Sequence, residues 1–223
     1  MDKINEDPNR PATMHAAALP WEPSPAPGVE RRRLERTGGE RARVTSLVRY
    51  APGSRFPEHT HGGGEEFLVL EGVFTDGTGD HPAGTYVRNG VGTAHSPGTD
   101  PGCVIFVKLW WMHPEEAESV RVDTTDIAAW TPTPWGASLD LHRGDHDHSR
   151  LLRLDPGASL TLEEARGLEA FVTHGHATVD GGALDPWSWH RAPGAAPKTL
   201  SSREGATVYV KSGHLESPPE APA

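Results

Sequence analysis

Apolar and polar positions alternate along this chain in short runs that Gly, Pro and Asp interrupt. β-Branched and aromatic residues concentrate in ARVTSLVRY (42–50), EFLVLE (66–71), GTYVRN (84–89) and CVIFVKLWW (103–111). They concentrate again in SRLLRL (149–154), EAFVTH (169–174) and ATVYVKS (206–212). Each run predicts a strand, because alternate residues of an extended chain face opposite sides and one side can be buried. The Asp-Gly pair in FTDGTGD (74–80) predicts a hairpin turn. Helix-period runs are scarce, so the expected class is all-β.

The pattern also repeats. LVRYAPGSRF (47–56) recurs as LLRLDPGASL (151–160), EFLVLEG (66–72) as EAFVTHG (169–175), and GCVIFVK (102–108) as GATVYVK (205–211). The offset is about 104 at the first pair and 103 at the other two, which marks a duplicated unit. Two domains are therefore expected, at 21–115 and 120–215, joined within the Pro-, Glu- and Thr-containing stretch 113–134. Residues 1–20 and 216–223 are polar, Pro-rich and aperiodic, and are expected to be flexible tails.

Composition narrows the partners. A formal net charge of −10 disfavours nucleic acid and anionic membrane, which need clustered Lys and Arg. No apolar stretch is long enough to span a bilayer, and the opening residues lack the apolar segment of a secretory signal. Cys103 is the only cysteine, so no intrachain disulfide can form, and a reducing cytoplasm is the expected compartment. Within GCVIFVKLWW, Cys103 is expected to be a small buried hydrophobe rather than a reactive thiol. The Arg31-Arg32-Arg33 run between Glu30 and Glu35 is expected to form a solvated face.

The chemistry concentrates in GSRFPEHTHGGGEEFLVLEG (53–72). His59 and His61, two apart on an extended segment, can face one point, and the Gly62-Gly63-Gly64 run can bend to bring Glu65 to it. His95 follows a Gly-rich turn in GTYVRNGVGTAHSP. Three imidazoles and a carboxylate suit a first-row divalent metal. The spacing Gly53-x₅-His59-x-His61-x₃-Glu65-x₆-Gly72, then Gly84-x₅-Gly90-x-Gly92-x-x-His95, resembles the two motifs of the cupin superfamily, with Gly90 where most members have Pro. The wording over residues 21–112 is similar to the ChrR-like branch of cupins.

That resemblance implies two tandem cupin barrels (double-stranded β-helix, or jelly roll) and one metal held by His59, His61, Glu65 and His95. It implies iron foremost, with zinc, manganese, nickel or cobalt compatible with the same shell. The ChrR-like branch includes dioxygenases that cleave small diketones and hydroxyketones, so a metal-dependent dioxygenase acting on a small molecule is the expected function. A non-redox metal enzyme (isomerase, cyclase or lyase) and a metal or small-molecule sensor related to the anti-sigma-factor cupin domain are the alternatives. No separate catalytic base is evident. Arg49, Tyr86 and Arg88 lie on strands that could reach a substrate, and pairing of barrel sheets into a homodimer is open.

Carried across the repeat, His59 and His61 fall near Glu163 and Ala165, Glu65 on Leu168 and His95 on Lys198, so the second unit is expected to bind no metal. Four further groupings draw attention. His146-x-His148 and His174-x-His176 are expected to be turn residues. Trp110 and Trp111 with His113, and Trp187 and Trp189 with His190, could floor a substrate pocket or pack between the barrels, and packing is the favoured expectation.

Overall fold

A computed structural model describes residues 3–39, 41–163 and 167–220, and among these the chain is almost entirely antiparallel β. It divides into two compact units, whose bodies are Leu19–Thr125 and Asp126–Pro218. Each is a jelly-roll barrel, as the cupin resemblance implies. No helix among the described residues is long and apolar enough to cross a membrane.

In the first unit the main sheet runs, in spatial order, Val120–Asp123, Thr85–Asn89, Glu65–Asp76, Cys103–Leu109, Val44–Tyr50, Val29–Arg36 and Glu22–Pro23. The short pair His59–Thr60 and Ala94–His95 lies apart from it. Alternation decides which side chains enter the barrel. Val48 and Tyr50, Phe67 and Val69, Val87, and Cys103, Ile105 and Val107 form one buried cluster with Val29 and Phe74. The predicted Asp-Gly hairpin is present: Asp76 pairs with Gly79 across a two-residue loop, Gly77-Thr78.

In the second unit the main sheet runs Ala12–His15, Ser188–Ala192, Leu168–Gly175, Ala206–Ser212, His148–Leu154, Gly136–Arg143 and Thr131–Thr133. Its core is aliphatic, built from Leu152, Leu154, Leu162, Leu168, Val172, Val179, Leu200, Val208 and others. The repeat is visible in backbone detail. Gly72 and Gly175 both sit at φ 72°, beside a bulge in their strand pairing. A Cβ on Gly72 would lie 1.9 Å from the Gly102 carbonyl oxygen, and one on Gly175 would lie 2.2 Å from that of Gly205, so only glycine fits either corner.

Three boundaries differ from the sequence expectation. Ala12–His15 is not part of a flexible tail, because it pairs in register with Ser188 to Arg191 and belongs to the second unit. Val120–Asp123, which falls in the expected join, forms the edge of the first sheet against Thr85–Asn89, so the units divide at 125/126. The run 103–111 stops as a strand at Leu109, since Trp110 has φ 62° and turns the chain.

Candidate metal centre

His59 and His95 face each other across the short two-stranded pair. His61 follows on the same segment, and its amide donates to the Thr93 carbonyl at 2.8 Å. Glu65 opens the long strand Glu65–Asp76, paired with Leu109 on one side and Asn89 on the other. One donor atom from each of His59, His61, Glu65 and His95 falls within 4.8 Å of the others. Glu65 Oε2 lies 3.3 Å from both His61 Nε2 and His95 Nε2.

The outer hydrogen bonds select one nitrogen of each ring. His59 Nδ1 lies 3.1 Å from the Pro57 carbonyl, His61 Nδ1 2.9 Å from Thr93 Oγ1, and His95 Nδ1 3.0 Å from Asp76 Oδ2. With Nδ1 engaged, Nε2 is the atom turned to the centre. His61 Nε2 and His95 Nε2 are fully buried and have no hydrogen-bond partner. A buried polar atom without a partner is costly unless something coordinates it, so this donor set fits a divalent metal. Asn89 Nδ2 donates to Glu65 Oε2 at 3.2 Å and fixes the carboxylate from the side.

Electrostatics separate the imidazoles. Burial holds His61 below the ordinary imidazole range, against the opposing pull of Glu65, so its lone pair is available near neutrality. His95 is raised despite burial, because it donates to Asp76. Burial alone would raise the Asp76 carboxyl, but hydrogen bonds from His81, His95 and Thr78 overcome it and hold Asp76 far below the usual carboxylate range.

A cavity of about 130 Å³ opens at this centre, lined by His59, Glu65, Phe56 and Trp110 at the donor end. Val44, Ser46, Val48 and Tyr50 supply one wall and Ile105, Val107 and Leu109 another, each set taking alternate residues of its strand. Ala42, Arg31 and Arg36 complete the lining. The glycine run has a role beyond flexibility. A Cβ on Gly63 would lie 2.3 Å from the Trp110 ring and one on Gly64 2.2 Å from Met112 Sδ, so the run is the seat on which both side chains rest. Trp110 is thus a wall of the cavity, where the sequence favoured packing between barrels. Trp111 is buried elsewhere, under Lys108 and Arg43, whose cationic groups lie 4.4 and 4.6 Å from its ring.

None of Arg49, Tyr86 and Arg88 lines the cavity. Arg49 alternates with the inward Val48 and Tyr50, so it points out, to Glu30 at 2.9 Å and over the Trp21 ring. Tyr86 and Arg88 flank the inward Val87 and share the opposite face with Glu66, to which Tyr86 donates at 2.7 Å. Their place is taken by Arg31, which the sequence assigned to a solvated face. Val29 and Arg31 lie two apart on one strand, and Val29 is in the core. That spacing was the available signal.

In the second unit Leu162 stands opposite Lys198 where His59 stands opposite His95. The counterpart of His59 is therefore Leu162 rather than Glu163, since the offset is 103 at this pair. Leu168 takes the place of Glu65, and Ala165 lies outside the described residues. His148 bonds Asp140 at 2.7 Å next to a hairpin turn, and His176 bonds Asp185 at 3.1 Å.

A twofold jelly roll with a His₃Glu donor set in its first barrel defines a bicupin. Residues 9–113 match the family model of the ChrR cupin-like domain, so the first barrel, with the segment before it, is similar to that branch of cupins. No curated protein matches the sequence significantly. Among solved structures, a candidate dioxygenase from Nostoc punctiforme superposes with a TM-score of 0.75 at 13% identity, over 97% of this chain and 88% of the other. The Escherichia coli pirin YhhW in complex with nickel(II) gives 0.69 at 13% identity, over 95% and 100%. Bacillus subtilis oxalate decarboxylase gives 0.63 at 12% identity, over 91% and 77%. At such identities the likeness establishes the fold alone.

Proposed function

We propose that the first barrel is a mononuclear metal-dependent dioxygenase acting on a small oxygenated molecule of the diketone or hydroxyketone type. The observation that carries this reading is the pair of buried Nε2 atoms of His61 and His95, which make no hydrogen bond and converge with His59 and Glu65 at the end of a cavity. The Nostoc neighbour is described as a candidate dioxygenase, and this supports the same reading. Iron is the metal proposed first; nickel in the pirin and the manganese centres of oxalate decarboxylase show that related barrels accept other ions.

A bound divalent metal would supply Lewis acidity and, if redox-active, access to dioxygen. The chain supplies the rest. His59, His61, Glu65 and His95 would hold the ion, with Thr93, Asp76 and the Pro57 carbonyl keeping each ring turned inward. Phe56, Trp110 and the aliphatic walls exclude water and orient an apolar part of the substrate. Burial, reinforced by the Glu65 carboxylate, raises Tyr50 above the ordinary phenol range, so it stays a hydrogen-bond donor to a substrate oxygen.

Anaerobic reconstitution with Fe(II), Mn(II), Ni(II), Co(II) or Zn(II), followed by oxygen uptake on a panel of small diketones and hydroxyketones, tests the proposal. Substrate-dependent oxygen consumption with a redox-active metal, abolished in the His59→Ala/His61→Ala protein, is the expected result. Turnover that consumes no oxygen and proceeds equally with zinc would replace it with a non-redox enzyme.

A further inference from the structure

The cavity carries polar groups that the metal centre does not use. Arg31 faces it from Val29–Arg36, and Ser46 and Tyr50 face it from the neighbouring strand Val44–Tyr50. Among the described residues, neither the Arg31 guanidinium nor the Tyr50 hydroxyl makes a hydrogen bond or ion pair, and Ser46 Oγ is fully buried without a partner. Tyr50 is 9% exposed and Ser46 1%. The other cations of the strand are engaged. Arg33 pairs with Glu22 at 3.0 Å, Arg32 lies 4.3 Å over the Trp21 ring, and Arg36 donates to the Gly38 and Gly39 carbonyls. Glu65, the one carboxylate of the lining, is turned to the imidazoles.

We infer that Arg31, assisted by the hydroxyls of Tyr50 and Ser46, is the binding site for the carboxylate of the substrate. A half-buried guanidinium facing a cavity without an ion-pair partner is unfavourable, and an anion entering the cavity relieves it. Its planar fork of donors matches a carboxylate. Burial is also the leading influence lowering Arg31 from the ordinary guanidinium value, and no carboxylate opposes it. Size narrows the class. The cavity, about 130 Å³, is close to the roughly 150 Å³ that admits benzene in an engineered core. The part of a ligand held inside is therefore about six non-hydrogen atoms, the size of a short 2-oxo or 2-hydroxy acid, and the open mouth leaves room beyond it. This rests on the proposed function's view of the cavity as the substrate site, and replaces the diketone by a small substrate whose carbonyl or hydroxyl carbon bears a carboxylate.

Pyruvate and butane-2,3-dione differ by exchange of a carboxylate for an acetyl group at equal heavy-atom count, and they separate the two ideas. Binding of each to the full-length, metal-loaded protein is measured by calorimetry for the wild type, Arg31→Met and Arg32→Met. Arg32→Met removes the same charge one residue away, on the Trp21 side. Pyruvate is expected to bind the wild type more tightly than the dione and to lose about 30-fold in Arg31→Met but no more than about twofold in Arg32→Met. Dione affinity should be indifferent to both. Should Arg31→Met fail to fold, Arg31→Lys and Tyr50→Phe are expected to lose about fivefold each, for pyruvate only. Equal losses in the two Arg→Met proteins, or a wild type that prefers the dione, overturn the inference. Metal content and oxygen uptake are followed on the same samples. Arg31-dependent pyruvate binding without oxygen uptake on any metal refutes the dioxygenase and keeps the carboxylate site. Dione oxidation that survives Arg31→Met does the reverse.

Discussion

Asp76 is the residue through which a hairpin turn controls the metal centre, and Asp76→Asn isolates that control. Its Oδ1 accepts from the Thr78 amide at 2.8 Å, Thr78 Oγ1 at 2.6 Å and His81 Nε2 at 3.1 Å, while Oδ2 meets His95 Nδ1 at 3.0 Å. The Thr78 amide can only donate, so an asparagine keeps its carbonyl oxygen on that side and turns its NH₂ towards His95 Nδ1. A donor there favours the tautomer that protonates Nε2, the atom that should coordinate. The variant trades a charge-assisted hydrogen bond for a wrong tautomer, and such outer partners are worth about 10–100-fold in metal affinity, or about 1.4–2.8 kcal/mol. Competition against a chromogenic chelator measures the loss directly. Affinity within about twofold of wild type, in protein that melts normally, would refute the tautomer reasoning. A second readout follows from linkage. Asp76 is depressed in the fold, so its stabilisation is present above an unfolded carboxylate value of about 3.9 and is lost as pH falls below it. Asp76→Asn should flatten that acid limb of the stability profile.

Other expectations are checked more briefly. Elemental analysis should return one metal per chain, falling to background in His59→Ala/His61→Ala, and affinity should decline as pH drops through about 6.5, where imidazoles begin to bind protons instead. Gly72→Ala should destabilise the fold by more than about 3 kcal/mol in denaturant titration, since it combines φ 72° with a contact to backbone at 1.9 Å. Gly63→Ala should cost about 1–3 kcal/mol by the same measurement, because the Trp110 ring it meets can shift, and should quench or redshift tryptophan fluorescence. Cys103 is 4% exposed and burial pushes its thiol up to about 11, so iodoacetamide at pH 8 should label it only after unfolding. Rapid labelling of the native protein would show that its strand opens.

Three of the donors were legible in the sequence because local spacing fixes them: one residue between imidazoles, a glycine run, then a carboxylate at the head of a strand; His95 was legible from its own Gly-rich motif. The duplicated strands were legible for the same reason. The cavity was not, because inward and outward facing depends on register and bulges, which no local window contains. Around Arg31-Arg32-Arg33 the only cue is the two-residue step from Val29 to Arg31, and the pairing of its strand shifts between Arg33 and Glu35. Asp76 was visible only as a turn former. Its second carboxylate oxygen reaches His95, nineteen residues further on, and that contact exists only when the barrel closes.

Comparison of the two barrels separates what specifies the fold from what specifies the site. The corner glycines match in conformation, with Gly72 and Gly175 both at φ 72° and Gly102 and Gly205 at 93° and 97°. The polar side chains that hold those corners match in chemistry, Gly102 donating to Thr99 Oγ1 and Gly205 to Ser202 Oγ, each at 3.0 Å. The interiors do not match. Leu162 stands for His59, Leu168 for Glu65 and Leu154 for Tyr50, and together they form a continuous aliphatic core. Trp110 makes the same point from the other side. It adopts φ 62° at the position where the second barrel has Gly213 at 93°. A bulky residue there costs about 1–2 kcal/mol that glycine would not, yet only a large ring at this place closes the cavity over Gly62 and Gly63. Stability alone would favour glycine; because Trp187 of the second barrel is strained alike at φ 64°, it is the place of Trp110 in the cavity wall, and not the strain itself, that ties it to the site.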